Sequence, residues 1–424
     1  MFARLKDTLL AFLRWSEAYT KTDMLYVTQG GFWLSLAKGV GMFSSLLLAT
    51  AMANLIPPEV FGNYKFVLSA VGIIGAFTLT GMGTAIIQAV ARGHEGALRT
   101  GIRAYLYWSV GMVAISVAVA LYYLINSNYV LGISFIIVAL CNPLLIAYSF
   151  FSQFISGKKD FKTGSFFDSS ADLIPAFTLI LVLFVTENPI LIVLVFFLAG
   201  MSVNIFLYRA TVKKYRPNDT TDPQTIPYAQ HLSLMGIMGK IAENIDKVLV
   251  FHYLGAAQLA IYAFAQTPIG QLKLLNDIPA KLALPKLSER NFLDLKTSLP
   301  RKVFLLAGIM TVIVIVYIAL APLLFKLLFP KYLGSVIFTQ ILALSLIFAP
   351  GSMFGEALAA HMRKKELYIS QTILPIIKIG LFLLLLPAFG IWGAVLTIIA
   401  SQFLMFVLYA YLFWQAKHET RLIH

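Results

Sequence analysis

Twelve long apolar segments separated by short polar loops constrain this chain more than any other feature. They cover roughly 27–55, 64–91, 102–125, 130–156, 166–185, 189–208, 229–253, 258–280, 303–325, 334–360, 367–386 and 391–415. A bilayer core of about 30 Å needs about 20 apolar residues per helical crossing, so each segment is long enough or nearly so. Backbone N–H and C=O groups cannot be left bare in hydrocarbon, so each is expected to be a helix. The alternating pattern of a membrane β-barrel is missing. Apolar types make up 59% of the 424 residues and charged types 12%, against about 45–50% and about 25% in soluble domains. A soluble enzyme and a disordered chain are both excluded. The single cysteine, Cys141, lies in an apolar run and reads as a packed residue. One cysteine leaves no disulfide framework or cysteine metal cluster to consider, and no metal or cofactor is expected.

Lysine and arginine concentrate in alternate loops, which sets orientation. The N-terminal segment, the even-numbered loops and the tail are rich in them. The odd-numbered loops carry only Lys326 and Lys331. Both termini are therefore expected in the cytoplasm, with the chain in the inner membrane. The net charge of +14 then reflects topology and attraction to anionic lipid, not nucleic-acid binding. Phe2, Leu5, Leu9, Phe12, Leu13 and Trp15 suggest an amphipathic helix on the inner membrane surface rather than a secretory signal.

The chain repeats itself weakly after about 200 residues. Leu55-Ile56-Pro57-Pro58-Glu59-Val60-Phe61-Gly62-Asn63-Tyr64 follows span 1, and Tyr253-Leu254-Gly255-Ala256-Ala257-Gln258-Leu259-Ala260-Ile261-Tyr262 follows span 7. Pro143 matches Pro350, and Pro175 matches Pro375. The corner Lys158-Lys159-Asp160-Phe161 matches Lys364-Lys365-Glu366-Leu367. Six spans per half give two repeats of the same orientation, a transporter signature with the substrate path between the halves. The expected organisation is an amphipathic segment over 1–26, a six-helix bundle over 27–215, a linker over 216–228, a second six-helix bundle over 229–415 and a tail over 416–424.

With these residues in view, the chain resembles the polysaccharide-exporting branch of the multidrug/oligosaccharidyl-lipid/polysaccharide (MOP) exporter superfamily, the Wzx-type O-antigen flippases. The resemblance covers roughly 27–415. It rests on Pro57 to Tyr64, on Gly81-Met82-Gly83 in span 2, and on Asn244-Ile245-Asp246-Lys247-Val248-Leu249-Val250 followed by Leu254-Gly255 and Tyr262. It implies an all-α integral membrane fold of two six-helix bundles. It also implies flipping of lipid-linked oligosaccharide by alternating access, and the substrate's glycosyltransferases and polymerase as partner enzymes. Nothing in the sequence requires an oligomer, so a monomer is expected.

Ionisable residues inside spans are costly and suggest function. Lys38, Lys240 and Lys378 each lie 11 residues into a span entered from the basic side, which is about 16 Å deep. A cluster of the three could serve as counter-ions for a pyrophosphate head group. Lys240, Glu243, Asn244 and Lys247 share a face of span 7, with Asp246 at its edge. Glu243 can pair with Lys240 or Lys247. Asn244, Gln266, Gln271 and Tyr262 offer partners to sugar. A structural role is open for each: Lys240 and Glu243 can neutralise one another, and Asp246 can pair with Lys247. No Gly-x-x-x-x-Gly-Lys-Ser/Thr phosphate loop is present, so an inward H+ or Na+ gradient is a candidate energy source. Glu243, Asp246, Asp168 and Asp172 are candidate ion-coupling or structural carboxylates. Pro175, Pro268 and Pro375 are candidate hinges, or static kinks. Two other functions compete. A cation-coupled multidrug exporter fits the same architecture, although midplane lysines would repel cationic drugs. A membrane-embedded sugar transferase or polymerase would want a large outer loop or a carboxylate cluster.

Overall fold

The computed structural model describes residues 24–416, leaving aside the side chains of 24–30, 34, 277–286 and 289. The amphipathic helix expected over the first 22 residues, and the tail after 416, lie outside the described residues. All regular elements among the described residues are helical. In chain order they are α1 (Met24–Leu55), α2 (Pro58–Gly75), α3 (Met82–Ala91), α4 (Ala97–Ile125), α5 (Tyr129–Gly157), α6 (Phe161–Leu183), α7 (Pro189–Tyr215), α8 (Thr225–Leu254), α9 (Ala256–Glu289) and α10 (Phe292–Leu328). A stretch of mixed helix follows, with 3-10 turns at Pro330–Ser335 and Leu344–Gly351 around α11 (Val336–Ala343) and before α12 (Ser352–Ala360). The chain ends with α13 (Lys364–Phe389) and α14 (Ile391–Gln415).

Each apolar segment of the sequence is built mainly of helix, and nine helical segments among the described residues are long and apolar enough to cross a membrane. The three that fall short have physical reasons. Span 2 is broken: α2 ends at Gly75 and α3 begins at Met82, so Gly81-Met82-Gly83 starts its second piece. Thr78 donates to the Gly75 carbonyl at 2.7 Å and holds the break. Helices α8 and α9 carry ionisable and amide side chains along their length, including Lys240, Glu243, Asp246, Lys247, Gln266, Gln271 and Lys273, which dilutes their hydropathy.

Helix ends follow local chemistry. Asn128, Asp160, Asn188 and Asn291 each accept a hydrogen bond from a backbone N–H of the helix that follows. Gly255 (φ 86°) and Gly390 (φ 57°) make the sharp joints between α8 and α9 and between α13 and α14. The two basic corners are built alike. Lys159 (φ 61°) and Met362 (φ 53°) are left-handed. In each corner the left-handed residue bonds three residues back and its successor five back: Lys159 to Ser156 and Asp160 to Ile155, Met362 to Ala359 and Arg363 to Leu358. The backbone therefore aligns Asp160 with Arg363, three residues from the register that charge alone suggested. Short-range charge patterns tolerate such a slip, whereas the hydrogen-bonded corner does not.

Apolar packing is distributed unevenly. At the end away from the basic loops one core runs across both halves. Phe61 of α2 stacks on Phe264 of α9 at 4.3 Å, and Phe66 of α2 on Phe251 of α8 at 4.0 Å. Phe264 in turn contacts Tyr332 at 4.1 Å, and Asn54 of α1 donates to the Leu328 carbonyl of α10 at 3.0 Å. At the basic end there are two separate cores. One gathers Met82, Ile86, Leu98, Phe150, Phe151 and Phe154. The other gathers Phe292, Leu295, Phe354 and Phe413. The halves are thus fused at one end and packed independently at the other, except where the start of α8 lies on α3. There Ser233 accepts from the Gly81 N–H at 2.9 Å.

Two ion pairs dock the segment after α7 onto the basic end, Arg92 with Asp222 at 2.7 Å and Arg99 with Asp219 at 2.6 Å. A third, Lys158 with Glu95 at 2.6 Å, ties the end of α5 to the loop before α4. Asn218 donates to the Glu95 carboxylate and to the Gly93 carbonyl. The Lys158 ammonium is the main cause that holds the Glu95 carboxyl below its usual range. Burial pushes the Asp160 carboxyl up, but hydrogen bonds from Tyr215, Thr163 and Lys214 together outweigh it and leave it well below the ordinary range.

Two predictions follow from this packing. A Cβ on Gly62 would stand 1.9 Å from the Ala256 carbonyl oxygen, so Gly62→Val should cost about 1–3 kcal/mol by overpacking the fused end, read as a lower thermal midpoint in detergent. Carboxyls with depressed folded pKa contribute above their unfolded pKa and lose that contribution as pH falls through the folded value. Hydrogen-exchange protection over residues 157–163 and 216–224, measured relative to the intrinsic rate at each pH, should therefore stay flat from pH 8 to pH 5 and fall below about pH 4, where free carboxyls protonate. A loss of protection between pH 8 and 5 would contradict it.

Candidate functional site

Two polar sites lie inside the span region, and they differ in charge. The first is a cavity of about 740 Å³ within the first half. Helix α1 gives it Lys38, Gly41, Ser44 and Ser45, and α6 gives Asp168, Asp172 and Pro175. Ser149, Ser152 and Gln153 of α5 and Asn204 of α7 complete that wall. Helices α1 and α6 approach closely because Gly41 faces Asp172, whose Oδ2 would be 2.7 Å from any Cβ there. The Ser44 hydroxyl adds a bond to the Asp172 carbonyl at 3.1 Å. Pro175 has no N–H to give to residue 171, which opens the helix ladder beside the cavity. Lys38 makes no ion pair among the described residues, but it acts electrostatically on both Asp168 and Asp172. One lysine facing two carboxylates leaves the cavity net anionic. Gln271 of α9 reaches in from the other half and donates to Ser45 Oγ at 3.0 Å.

The second site is centred on Asp246 of α8, only 2% exposed. A buried carboxylate must be paired and hydrogen-bonded to be tolerated. Here Lys247 bonds both oxygens at 3.1 Å. Tyr262, fully buried on α9, donates to Oδ2 at 3.1 Å, and Gln266 one turn later donates to it at 2.9 Å. Lys378 of α13 donates to the Ala242 carbonyl at 2.5 Å and lies over the Phe382 ring at 5.9 Å. Asp246, Lys247, Lys273 and Glu243 all lie within its electrostatic reach. Glu243 pairs with Lys240 at 2.8 Å. Asn244 donates to the Lys240 carbonyl at 3.0 Å and packs against Gly72 of α2, where a Cβ would meet it at 2.7 Å.

The expected residues therefore divide between two places. Lys38 lies with Asp168, Asp172 and Pro175 in the first half. Lys240 and Lys378 converge on α8 with Asn244, Lys247, Gln266, Glu243 and Asp246. The three lysines do not form one cluster, because equal depth says nothing about which way a helix face points. Gln271 belongs to the first cavity, while the amide of Gln266 and the hydroxyl of Tyr262 are engaged by Asp246. Pro268 is buried within α9, and Pro375 lies within α13 three residues before Lys378. One residue went unread in the sequence: Lys65 of α2, which lies over Phe61 at 5.4 Å and in electrostatic reach of Lys247. Its signal was available, as an isolated lysine within an apolar run.

Among the described side chains, Lys240, Lys247, Lys273 and Lys378 thus gather with two carboxylates, Glu243 and Asp246, and Lys65 adjoins Lys247. Removing the buried carboxylate leaves charge uncompensated. Asp246→Asn should cost about 3–5 kcal/mol of stability, as expected when one member of a buried pair is lost. Adding Lys247→Gln should restore part of it. Denaturation of the purified single and double variants checks both, and strictly additive losses would contradict the coupling.

The comparisons with known proteins agree with this architecture. The family described as polysaccharide biosynthesis protein matches residues 27–289. No curated protein sequence matches the chain. Among solved structures it is similar to the lipid II flippase MurJ in an inward closed conformation, with a TM-score of 0.69 and 13% identity over 89% of this chain and 86% of that one. It is also similar to an inward-facing multidrug resistance MATE family transporter of the MOP superfamily, with a TM-score of 0.64 and 14% identity over 90% and 96% of the two chains. A MOP superfamily transporter from Pyrococcus furiosus, described as having a binding pocket of reverse polarity, aligns with a TM-score of 0.57 and 13% identity over 91% and 94%. This chain belongs to the polysaccharide biosynthesis protein family and is a multi-pass, all-α membrane protein with the MOP transporter fold.

Proposed function

We propose that this protein is a flippase that moves polyprenyl-pyrophosphate-linked oligosaccharide from the cytoplasmic to the outer leaflet by alternating access. The observation that carries the reading is the cation excess around α8, five lysines against two carboxylates among the described side chains, at the seam between the halves. A pyrophosphate head is concentrated negative charge, and lysine meets it as a compact point charge. A seam of this sign disfavours cationic drugs. The positive-inside pattern puts the basic end in the cytoplasm of the inner membrane, together with both termini. The fused core then closes the outer end and the separate cores leave the inner end free to part.

The first-half cavity has the opposite sign. Lys38 between Asp168 and Asp172 gives a net anionic site that suits H+ or Na+, with entry of the ion driving export. The glycosyltransferases that build the substrate and the polymerase that consumes it are the natural partner enzymes. On this reading the two tasks are separated by half: anion in the seam, cation in the first bundle.

The test is translocation in proteoliposomes of a short-chain polyprenyl-pyrophosphate oligosaccharide, read with a membrane-impermeant sugar-modifying probe. Lys240→Ala and Lys378→Ala should each slow it about tenfold or more, since a hydrogen bond to a charged group is worth roughly 1.5–3 kcal/mol. Asp172→Asn should leave slow flipping that no longer responds to an imposed H+ or Na+ gradient. Export of cationic dyes with no movement of the lipid would overturn the proposal in favour of a multidrug exporter.

A further inference from the structure

Helices α6 and α7 form a wall with two different faces. Asp168 and Asp172 of α6 and Asn204 of α7 look into the polar cavity. On the other face the same two helices enclose a groove of about 320 Å³, lined almost wholly by apolar groups. Phe167 and Leu207 line it, and Phe166 and Phe206 stand at its rim, 70% and 69% exposed. Phe177, Leu181 and Phe184 continue the exposed apolar surface beyond it, so this face belongs to the hydrocarbon.

The groove has a polar end. On α7 it runs from Ser202 to Ala210, about 12 Å along the axis, close to the depth of one leaflet's hydrocarbon, half of about 30 Å. Arg209 and Lys213 follow on the same side, three residues beyond Phe206 and Ala210. Both are exposed, and neither has a carboxylate partner among the described residues. Their neighbour Lys214 is engaged by Asp160 at 3.1 Å and by Thr163. Two like charges four residues apart on a helix repel one another, and an anion at the membrane surface relieves that.

We infer that this groove is a binding site for an anionic glycerophospholipid of the leaflet at the basic end. Its acyl chain lies between Phe166 and Phe206, and its phosphate meets Arg209 and Lys213. Charge and depth together select this occupant: the apolar trough ends at the head-group level beside two free cations. The site is distinct from the substrate path and does not depend on which substrate is flipped.

The experiment is native mass spectrometry of the purified full-length chain with dioleoyl phosphatidylglycerol or dioleoyl phosphatidylcholine. The wild type should retain one phosphatidylglycerol with about tenfold preference over phosphatidylcholine, in line with the attraction of anionic lipid for two basic groups. The double variant Arg209→Gln/Lys213→Gln should lose the preference while keeping its thermal midpoint in lipid-free detergent. Ala210→Trp, which fills the groove, should lower retention of either lipid. Equal retention of the two lipids by the wild type, or a preference that survives in the double variant, overturns the inference. Displacement of phosphatidylglycerol one-for-one by a polyprenyl phosphate also overturns it, assigning the groove to the substrate's tail.

Discussion

A buried carboxylate cannot stand alone in a low-dielectric interior, and around Asp246 that requirement ties the second half together. Lys247 supplies the neighbouring charge, while Tyr262 and Gln266 bring α9 to the same oxygen. Tyr262 is fully buried, so its ring also belongs to the core that joins the halves. The polar network and the apolar seam are therefore one construction. Four donors, two from Lys247 and two from α9, converge on a group that would otherwise be expelled to water.

That seam explains the asymmetry of the molecule. Aromatic stacking across α2, α8 and α9 makes one continuous core at the end away from the basic loops. At the basic end each half has its own core. Parting the halves at the basic end disrupts little beyond the contact of α8 with α3, whereas parting them at the other end unstacks Phe61 from Phe264 and Phe66 from Phe251. The glycine at position 62 permits the close contact of α2 with Ala256 at the fused end.

Electrostatics divide along the same lines. Among the described side chains, the first-half cavity holds two carboxylates and one lysine, and the seam holds an excess of lysines. Both are lined by helices whose other faces meet apolar surroundings, and α6 shows this most clearly: carboxylates on one side, phenylalanines on the other. Helical periodicity allows one segment to serve a wet cavity and the lipid at once.

Much of the architecture was legible in the order of residues. Apolar length sets the number of helical segments, because the bilayer leaves the backbone no alternative. Loop charge marks one end as basic, and the charged faces of α8 and α9 stand out against the apolar background. Their sidedness was less legible. The lysines at 38, 240 and 378 share a depth, but depth is a one-dimensional quantity and helix rotation is set by packing. Lys38 turned toward Asp168 and Asp172 because Gly41 and Ser44 let α1 close on α6. Lys378 turned toward α8 because α13 packs there. The break in span 2 follows similarly from Gly81 accepting the approach of Ser233 and Leu232. What the sequence by itself determined was which segments must be helical, which end is basic and which residues carry charge into the span region. The pairs Lys240–Glu243 and Asp246–Lys247 are neighbours in the chain; only the tertiary structure decided that Lys38 meets Asp168 and Asp172 and that Lys378 meets Asp246, since that depends on contacts between helices more than a hundred residues apart.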